Sequence, residues 1–237
     1  SVSLYSFSSN MEKFFRPEHK EPDTYGCKIM LWNHFIVWNK QQEYFWKRYR
    51  PKAAFTIVGF INNGGSVYSR FPKNGKKILT VFDVTPWRPI LHTSHGYAFA
   101  PYSEEMNLSF LEDILEVFKD SSWEILWKAK RIVDNNIISN AFIRKRLNLV
   151  MNHMIRVDPG VAARSLVEAS DAVISMPFST PSVIAKVKGI PSIYYDTSGP
   201  GHVRNPESHG IPVLKSKDEL KEWYELLSVK HTVVSCD

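Results

Sequence analysis

The residues able to do chemistry in this chain fall just after its apolar runs. In Ser175-Met176-Pro177-Phe178-Ser179-Thr180-Pro181, two adjacent hydroxyls precede a proline, between Ala172-Val173-Ile174 and the helical stretch Ser182 to Val187. Proline is tolerated in the first turn of a helix, where the N–H groups have no partners and favour an anion. Ser179 and Thr180 therefore suit phosphate oxygens, with Ser175 and Pro177 in the same anion-binding loop; the plain alternative is that a hydroxyl only caps the helix. Lys128, Lys130 and Arg131 follow Trp123-Glu124-Ile125-Leu126-Trp127. They suit the neutralisation of a diphosphate or a nucleotide leaving group, or else form a solvated charge run. Asp83 ends Lys77-Ile78-Leu79-Thr80-Val81-Phe82, and either takes a proton from an acceptor hydroxyl or hydrogen-bonds its own loop. His92 and His95, in the loop that follows, titrate in the range useful for proton transfer, though a loop histidine is commonly plain surface. Glu168, ahead of the Ala172 run, suits two hydroxyls of a ribose, or is ordinary helix surface.

These residues need an element order that gathers them. From residue 77 onward, short apolar or β-branched runs alternate with helical stretches. The runs begin at Lys77, Trp123, Met154, Ala172, Ser192 and Ile211; the helices start near Ser103, residue 139, Val161, Ser182 and Lys217. Strands joined by helical crossovers are parallel, and a parallel sheet is covered on both faces. The fold class is therefore α/β, a parallel sheet flanked by helices. The carboxyl ends of its strands share one edge, where such sheets bind ligands. Upstream, residues 1 to 27 read as irregular and Lys28 to Trp32 as a strand. Asn39 opens a helix running to Tyr49, Ala54 to Ile61 is a further strand, and Asn62-Asn63-Gly64-Gly65 is the clearest linker. The Gly199-Pro200-Gly201-His202 stretch reads as a mobile loop over the site.

Composition narrows the class of partner. The chain is 43% hydrophobic and 23% charged, as ordinary globular proteins are, and no apolar run approaches the ~18 residues of a membrane span. Its start lacks the pattern of a signal peptide, and it does not begin with Met, so it is read as a fragment. Cys27 and Cys236 lack metal-site or redox spacing and are read as free thiols in a reducing cytosol. The net charge of +6 suits a phosphorylated small molecule, an anionic polymer or an anionic membrane surface, without selecting among them. Nucleic acid is not expected, because zinc-finger, RNP-like and Gly-Lys phosphate-loop patterns are all lacking.

The run Ala169 to Ser175, then Pro177-Phe178-Ser179-Thr180, then Gly189-Ile190-Pro191-Ser192-Ile193-Tyr194-Tyr195, resembles the donor-binding half of GT-B glycosyltransferases. Closest are bacterial surface-polysaccharide proteins named for a Pro-Phe-Thr-Ser motif, carried here with its last two residues exchanged. The layout is also similar to CDP-glycerol-dependent polymerases and, more loosely, to Kdo and sialic acid transferases that use CMP-sugars. The resemblance implies two Rossmann-like domains: the tail end of an acceptor-side domain over residues 1–65, and a nucleotide-donor domain over 66–237. It implies a nucleotide-activated sugar donor, CMP- or CDP-linked, and a polysaccharide or glycolipid acceptor, with neither metal nor cofactor required. Donor contacts would come from Lys130, Ser179 and Thr180, with Glu168 near the ribose. The expected place of work is the cytoplasm, at the inner face of an anionic membrane. A CDP-alcohol polyol-phosphate transferase, or a non-catalytic nucleotide-binding module, is the alternative.

Overall fold

The computed structural model describes residues 3–5, 31–59, 75–86, 103–130, 139–198 and 208–232. His92, His95, Arg131, the 62–65 linker, the 199–202 loop and both cysteines lie outside the described residues.

Two sheets are present among the described residues. The smaller is parallel, in the order β1 (Ser3–Tyr5), β2 (His34–Val37), β3 (Ala54–Ile57). The helix α1 (Lys40–Tyr49) starts where Asn39 accepts a hydrogen bond from the Gln42 N–H, and it packs Phe45 and Trp46 onto Phe35 and Val37. Of the strand expected over Lys28 to Trp32, Lys28 to Met30 lie outside the described residues and Leu31 and Trp32 are not in a strand; β2 runs over His34–Val37, where burial alternates along the chain, while Leu31 is exposed. Of the run expected from Ala54 to Ile61, Ala54–Ile57 is strand, Gly59 turns with φ 75°, and Phe60 and Ile61 lie outside the described residues.

The larger sheet carries the site. Its strands are β4 (Lys77–Asp83), β5 (Trp123–Ala129), β6 (Ile155–Arg156), β7 (Ala172–Ser175), β8 (Ser192–Tyr195) and β9 (Val213–Leu214), ordered β6-β5-β4-β7-β8-β9 and all parallel. Its helices are α2 (Glu104–Phe118), α3 (Asn140–His153), α4 (Ala163–Glu168), α5 (Thr180–Val187) and α6 (Lys217–Thr232). One face buries Val81, Ile125 and Ile174 with Phe110, Ile114, Val150 and Leu220 of α2, α3 and α6. The other buries Ile78, Phe82 and Val173 against Leu166, Val167, Ile184 and Ala185 of α4 and α5. A sheet sandwiched this way has buried strands on both sides, which is why β4 and β7 read as near-continuous apolar runs.

The chain moves outward from β4 to β6, then returns to the opposite side of β4 to lay down β7, β8 and β9. The order therefore reverses between β4 and β7, and their carboxyl ends flank the crevice of a doubly wound sheet. At the other edge this join is fastened by the Asp171 Oδ2, which accepts from the Ile78 N–H at 2.8 Å, and by the Thr80 and Ser170 hydroxyls, buried and bonded to each other.

Candidate functional site: an anion-receptive cleft at the strand reversal

The cleft at this reversal has a volume of about 210 Å3 and is lined by Phe82, Asp83 and Val84 at the end of β4, Lys128 and Lys130 at the end of β5, Ala163 at the start of α4, and Phe178 to Pro181. The last of these is the loop from β7 to α5, and its shape rests on buried polar pairs. The Ser175 hydroxyl is fully buried against that of Ser182, which also donates to the Ile193 carbonyl at 3.0 Å. Phe178 stands at φ 58°, left-handed backbone that costs a bulky residue of the order of 1–2 kcal/mol. Its ring is 2% exposed, edge-on to Tyr194 at 5.6 Å between centroids, beside Ile211. Burying that ring contributes about 1.5–3 kcal/mol, enough to offset the backbone cost. Tyr194 also donates through its hydroxyl to the Ser179 carbonyl at 3.1 Å, pinning the loop to β8.

Ser179 occupies the N-cap position of α5 without capping it. Its hydroxyl turns back to donate to the Met176 carbonyl at 2.9 Å, and the helix carries no side-chain cap hydrogen bond. Pro181 removes one N–H from the first turn. The helix therefore presents its positive end, with Ser179 and Thr180, to the cleft.

Lys128 is 7% exposed and donates to the Pro159 carbonyl at 3.0 Å. Burial lowers it from the ordinary lysine value, and the charges of Asp83 and Asp158 resist that shift. Lys130 stands exposed one step beyond β5, also lining the cleft. Asp83 is 3% exposed; its Oδ2 accepts from Trp127 Nε1 at 2.7 Å and is paired with Arg146 of α3. Burial pushes the Asp83 carboxyl above its ordinary value, while the charge and then the hydrogen bond of Arg146, followed by the hydrogen bonds of Trp127 and Asn107, pull it down.

Asp83, Lys128, Lys130, Ser179 and Thr180 are thus brought together at the crevice although almost a hundred positions separate the first from the last. Ser175 and Pro177 shape the loop and are not among the lining residues. Glu168 is not brought to the cleft. It ends α4, whose first residue lines the cleft, and its carboxylate is paired with Arg164 and Lys188, both at 2.8 Å. Lys188 closes α5 at the helix end away from Thr180, so the Glu168 carboxylate belongs to the amino edge of the sheet. Arg146 went unremarked in the sequence, although it carries a signal: Phe142, Arg146 and Val150 recur at four-residue spacing on the inward face of α3, and all three are buried. A cation in the middle of an apolar stripe demands a buried partner. Among the described residues no three His, Cys, Asp or Glu side chains gather as a metal-binding group, and no helix is long and apolar enough to cross a membrane.

The strand order and the cationic crevice at its reversal define a doubly wound α/β protein with an anion-receptive site at the position where this class binds ligands. Within that class, residues 1–224 match the family model of polysaccharide biosynthesis PFTS motif proteins, and the chain belongs to that family. No curated protein matches the sequence at a significant level. Solved structures similar to it include the glycotransferase of kitacinnamycin, at 14% identity over 74% of this chain and 41% of that one, with a TM-score of 0.44. TarM is similar at 15% identity over 82% of this chain and 36% of that one, with a TM-score of 0.42. The chain thus spans well under half the length of these two structures.

Proposed function

We propose that this chain is the donor-binding part of a GT-B-like glycosyltransferase, which moves a sugar from a CMP- or CDP-linked donor to a polysaccharide or glycolipid acceptor in bacterial surface polysaccharide biosynthesis. The observation that carries this reading is the uncapped start of α5, set with Ser179 and Thr180 opposite Lys128 and Lys130 at the strand reversal. Two cations and a helix amino terminus are a preorganised field for the charge that develops on a departing nucleotide phosphate. That field supplies positive charge without a metal ion. Family membership supports polysaccharide biosynthesis as the setting. Residues 66–237 form the donor domain in this reading and residues 1–65 the end of an acceptor-side domain, working in the cytoplasm against the inner face of the membrane. Asp83, with its Oδ2 committed to Arg146 and Trp127, serves as a hydrogen-bond acceptor, and the base for the acceptor hydroxyl falls to the loop of His92 and His95.

The test is a thermal-shift and calorimetric comparison of CMP, CDP, UDP and GDP on the whole chain, since binding to the folded state raises its stability. CMP or CDP should bind best. Replacing Ser179 and Thr180 together by alanine should weaken that binding about tenfold or more, because a hydrogen bond to a charged group contributes ~1.5–3 kcal/mol. An unchanged nucleotide affinity in the double variant would remove the site, and a UDP or GDP preference would remove the CMP/CDP assignment.

A further inference from the structure

The net charge of +6 is not spread evenly along the chain. Residues 44–82 carry eight lysines and arginines and not one aspartate or glutamate, which leaves the rest of the chain with 22 cations against 24 acids. The whole basic excess therefore belongs to one stretch, and a charge asymmetry of this kind marks a surface for an anionic partner. Half of those eight cations, Lys47, Arg48, Arg50 and Lys52, fall within six residues, where α1 ends and the chain turns into β3. Lys47 takes up Glu43, the one acid of α1, at 2.6 Å. Arg48 is exposed, with its guanidinium 5.7 Å from the ring of Tyr44, itself 63% exposed, and 5.1 Å from that of Phe45.

The topology fixes where these cations stand. Because β2 and β3 are parallel and α1 joins them, the helix runs back along its strands and ends at the edge where they begin. There the Arg50 N–H donates to the Trp46 carbonyl at 2.9 Å, Ala53 to the Arg50 carbonyl at 3.1 Å, and Ala54 to the Asn33 carbonyl at 2.8 Å. The turn from Arg50 to Ala53 is thus held beside the segment that leads into β2. In that segment Trp32 packs onto the small core while Leu31 is left 78% exposed. Cations in the last turn of a helix suit its dipole whatever the function. That covers Lys47 and Arg48; Arg50 and Lys52 lie past the helix. A lone exposed leucine is likewise common, but this one shares its edge with the densest run of cations among the described residues. A lipid interface rewards both kinds of side chain, headgroups taking the cations and the acyl boundary the leucine, whereas an anionic polymer in solution rewards the cations alone.

We infer that the amino edge of the small sheet, with Leu31, Arg48, Arg50 and Lys52, is the face by which the protein docks on an anionic lipid surface. The inference rests on the membrane setting of the preceding subsection and not on its donor cleft, which lies in the other sheet.

The test is co-sedimentation of the whole chain with vesicles of phosphatidylcholine, alone or with about one quarter phosphatidylglycerol, at low and high salt. Wild type should bind the anionic vesicles about tenfold or more tightly than the neutral ones, and less tightly as salt rises. Each cation near such a surface is worth about fivefold in affinity, so Arg50→Gln with Lys52→Gln should weaken binding about tenfold or more. Leu31→Ser should weaken it about threefold, at high salt as well as low. Arg144→Gln with Lys145→Gln removes the same charge from exposed positions of α3 and should cost about twofold or less. Equal losses in the two double variants would show a response to net charge alone and overturn the inference while leaving the membrane setting in place. Binding to dextran sulfate as tight as to the anionic vesicles, with Leu31→Ser without effect on either, would make the face a polymer site and overturn it too. A wild-type chain that binds neither vesicle overturns the membrane setting, and this inference with it. The nucleotide affinities of the same variants judge the donor cleft separately, and all should match wild type.

Discussion

Replacing Arg146 by methionine tests the buried pair through stability alone. Methionine fills much of the apolar space between Trp127 and Phe142 but leaves the Asp83 carboxylate buried and unpaired. Removing one member of a buried pair costs about 3–5 kcal/mol, and the lost contact of cation with ring faces adds about 0.5–2 kcal/mol. The expected loss is therefore roughly 3.5–7 kcal/mol, a large share of the ~5–15 kcal/mol by which a domain is stable. At about 2–4 °C per kcal/mol for a chain of this size, melting should fall by about 7–28 °C. Adding Asp83→Leu removes the stranded charge, so the double variant should recover to within about 2 kcal/mol of wild type. Urea unfolding followed by tryptophan fluorescence gives the four corners of this cycle. The sign against pH is fixed too. In Arg146→Met the carboxyl lacks its cation and its folded value rises further, so the folded state holds the extra proton; stability should improve as pH falls through that raised value. A single-variant cost below about 1 kcal/mol, or additive costs in the cycle, would refute the reasoning.

Two further outcomes follow from the same cleft. Phe178→Ala loses the seated ring and keeps the left-handed backbone, whereas Phe178→Gly loses the ring and relieves the backbone; glycine should therefore be the milder change by about 1 kcal/mol in urea unfolding, the reverse of its usual rank. Equal costs would show that the φ of 58° carries no strain. For Lys128, whose value burial lowers, anion affinity should break downward as pH rises through a point below the ordinary lysine value of 10.5, while stability rises between that point and 10.5 because the unfolded chain then holds the extra proton. Lys128→Arg should shift the affinity break to higher pH, and a break at the same pH in both proteins would assign it to another group.

The sequence carried the helix and strand alternation because buried parallel strands are short apolar runs and crossovers have helical periodicity; β4, β5, β7 and α2 stand close to where those patterns put them. It also carried which residues end each strand, and so Asp83, Lys128, Lys130, Ser179 and Thr180. It did not carry the order of the strands. The placement of β7 beside β4 is a pairing across about ninety residues, decided by packing on both faces rather than by any local pattern. Glu168 was misplaced for a related reason: its distance along the chain from the Ala172 strand is short, but α4 runs from the carboxyl edge to the amino edge and carries it to the far side. Ser179 shows a subtler limit. Residue type fits an N-cap, as it does at Ser103 and Ser139, yet only those two serines accept a hydrogen bond from the helix they precede. The turn that points Ser179 back at Met176 depends on the seat of Phe178, which lies against strands and loops distant in sequence.

The reversal between β4 and β7 has a consequence for the order in which the protein is made. When synthesis has delivered β4, β5 and β6, one side of β4 still lacks its neighbour, and its apolar faces border an open row of N–H and C=O groups. The strand that closes it begins at Ala172, 89 residues after Asp83. At a ribosomal pace of about 5–20 residues per second, that interval lasts roughly 4–18 s. The cleft does not exist as a cleft until then, because the wall from Phe178 to Pro181 has yet to be translated. The nascent chain thus passes through a stage in which one side of β4 is open to pairing with other chains, and shielding that side during synthesis bears on yield.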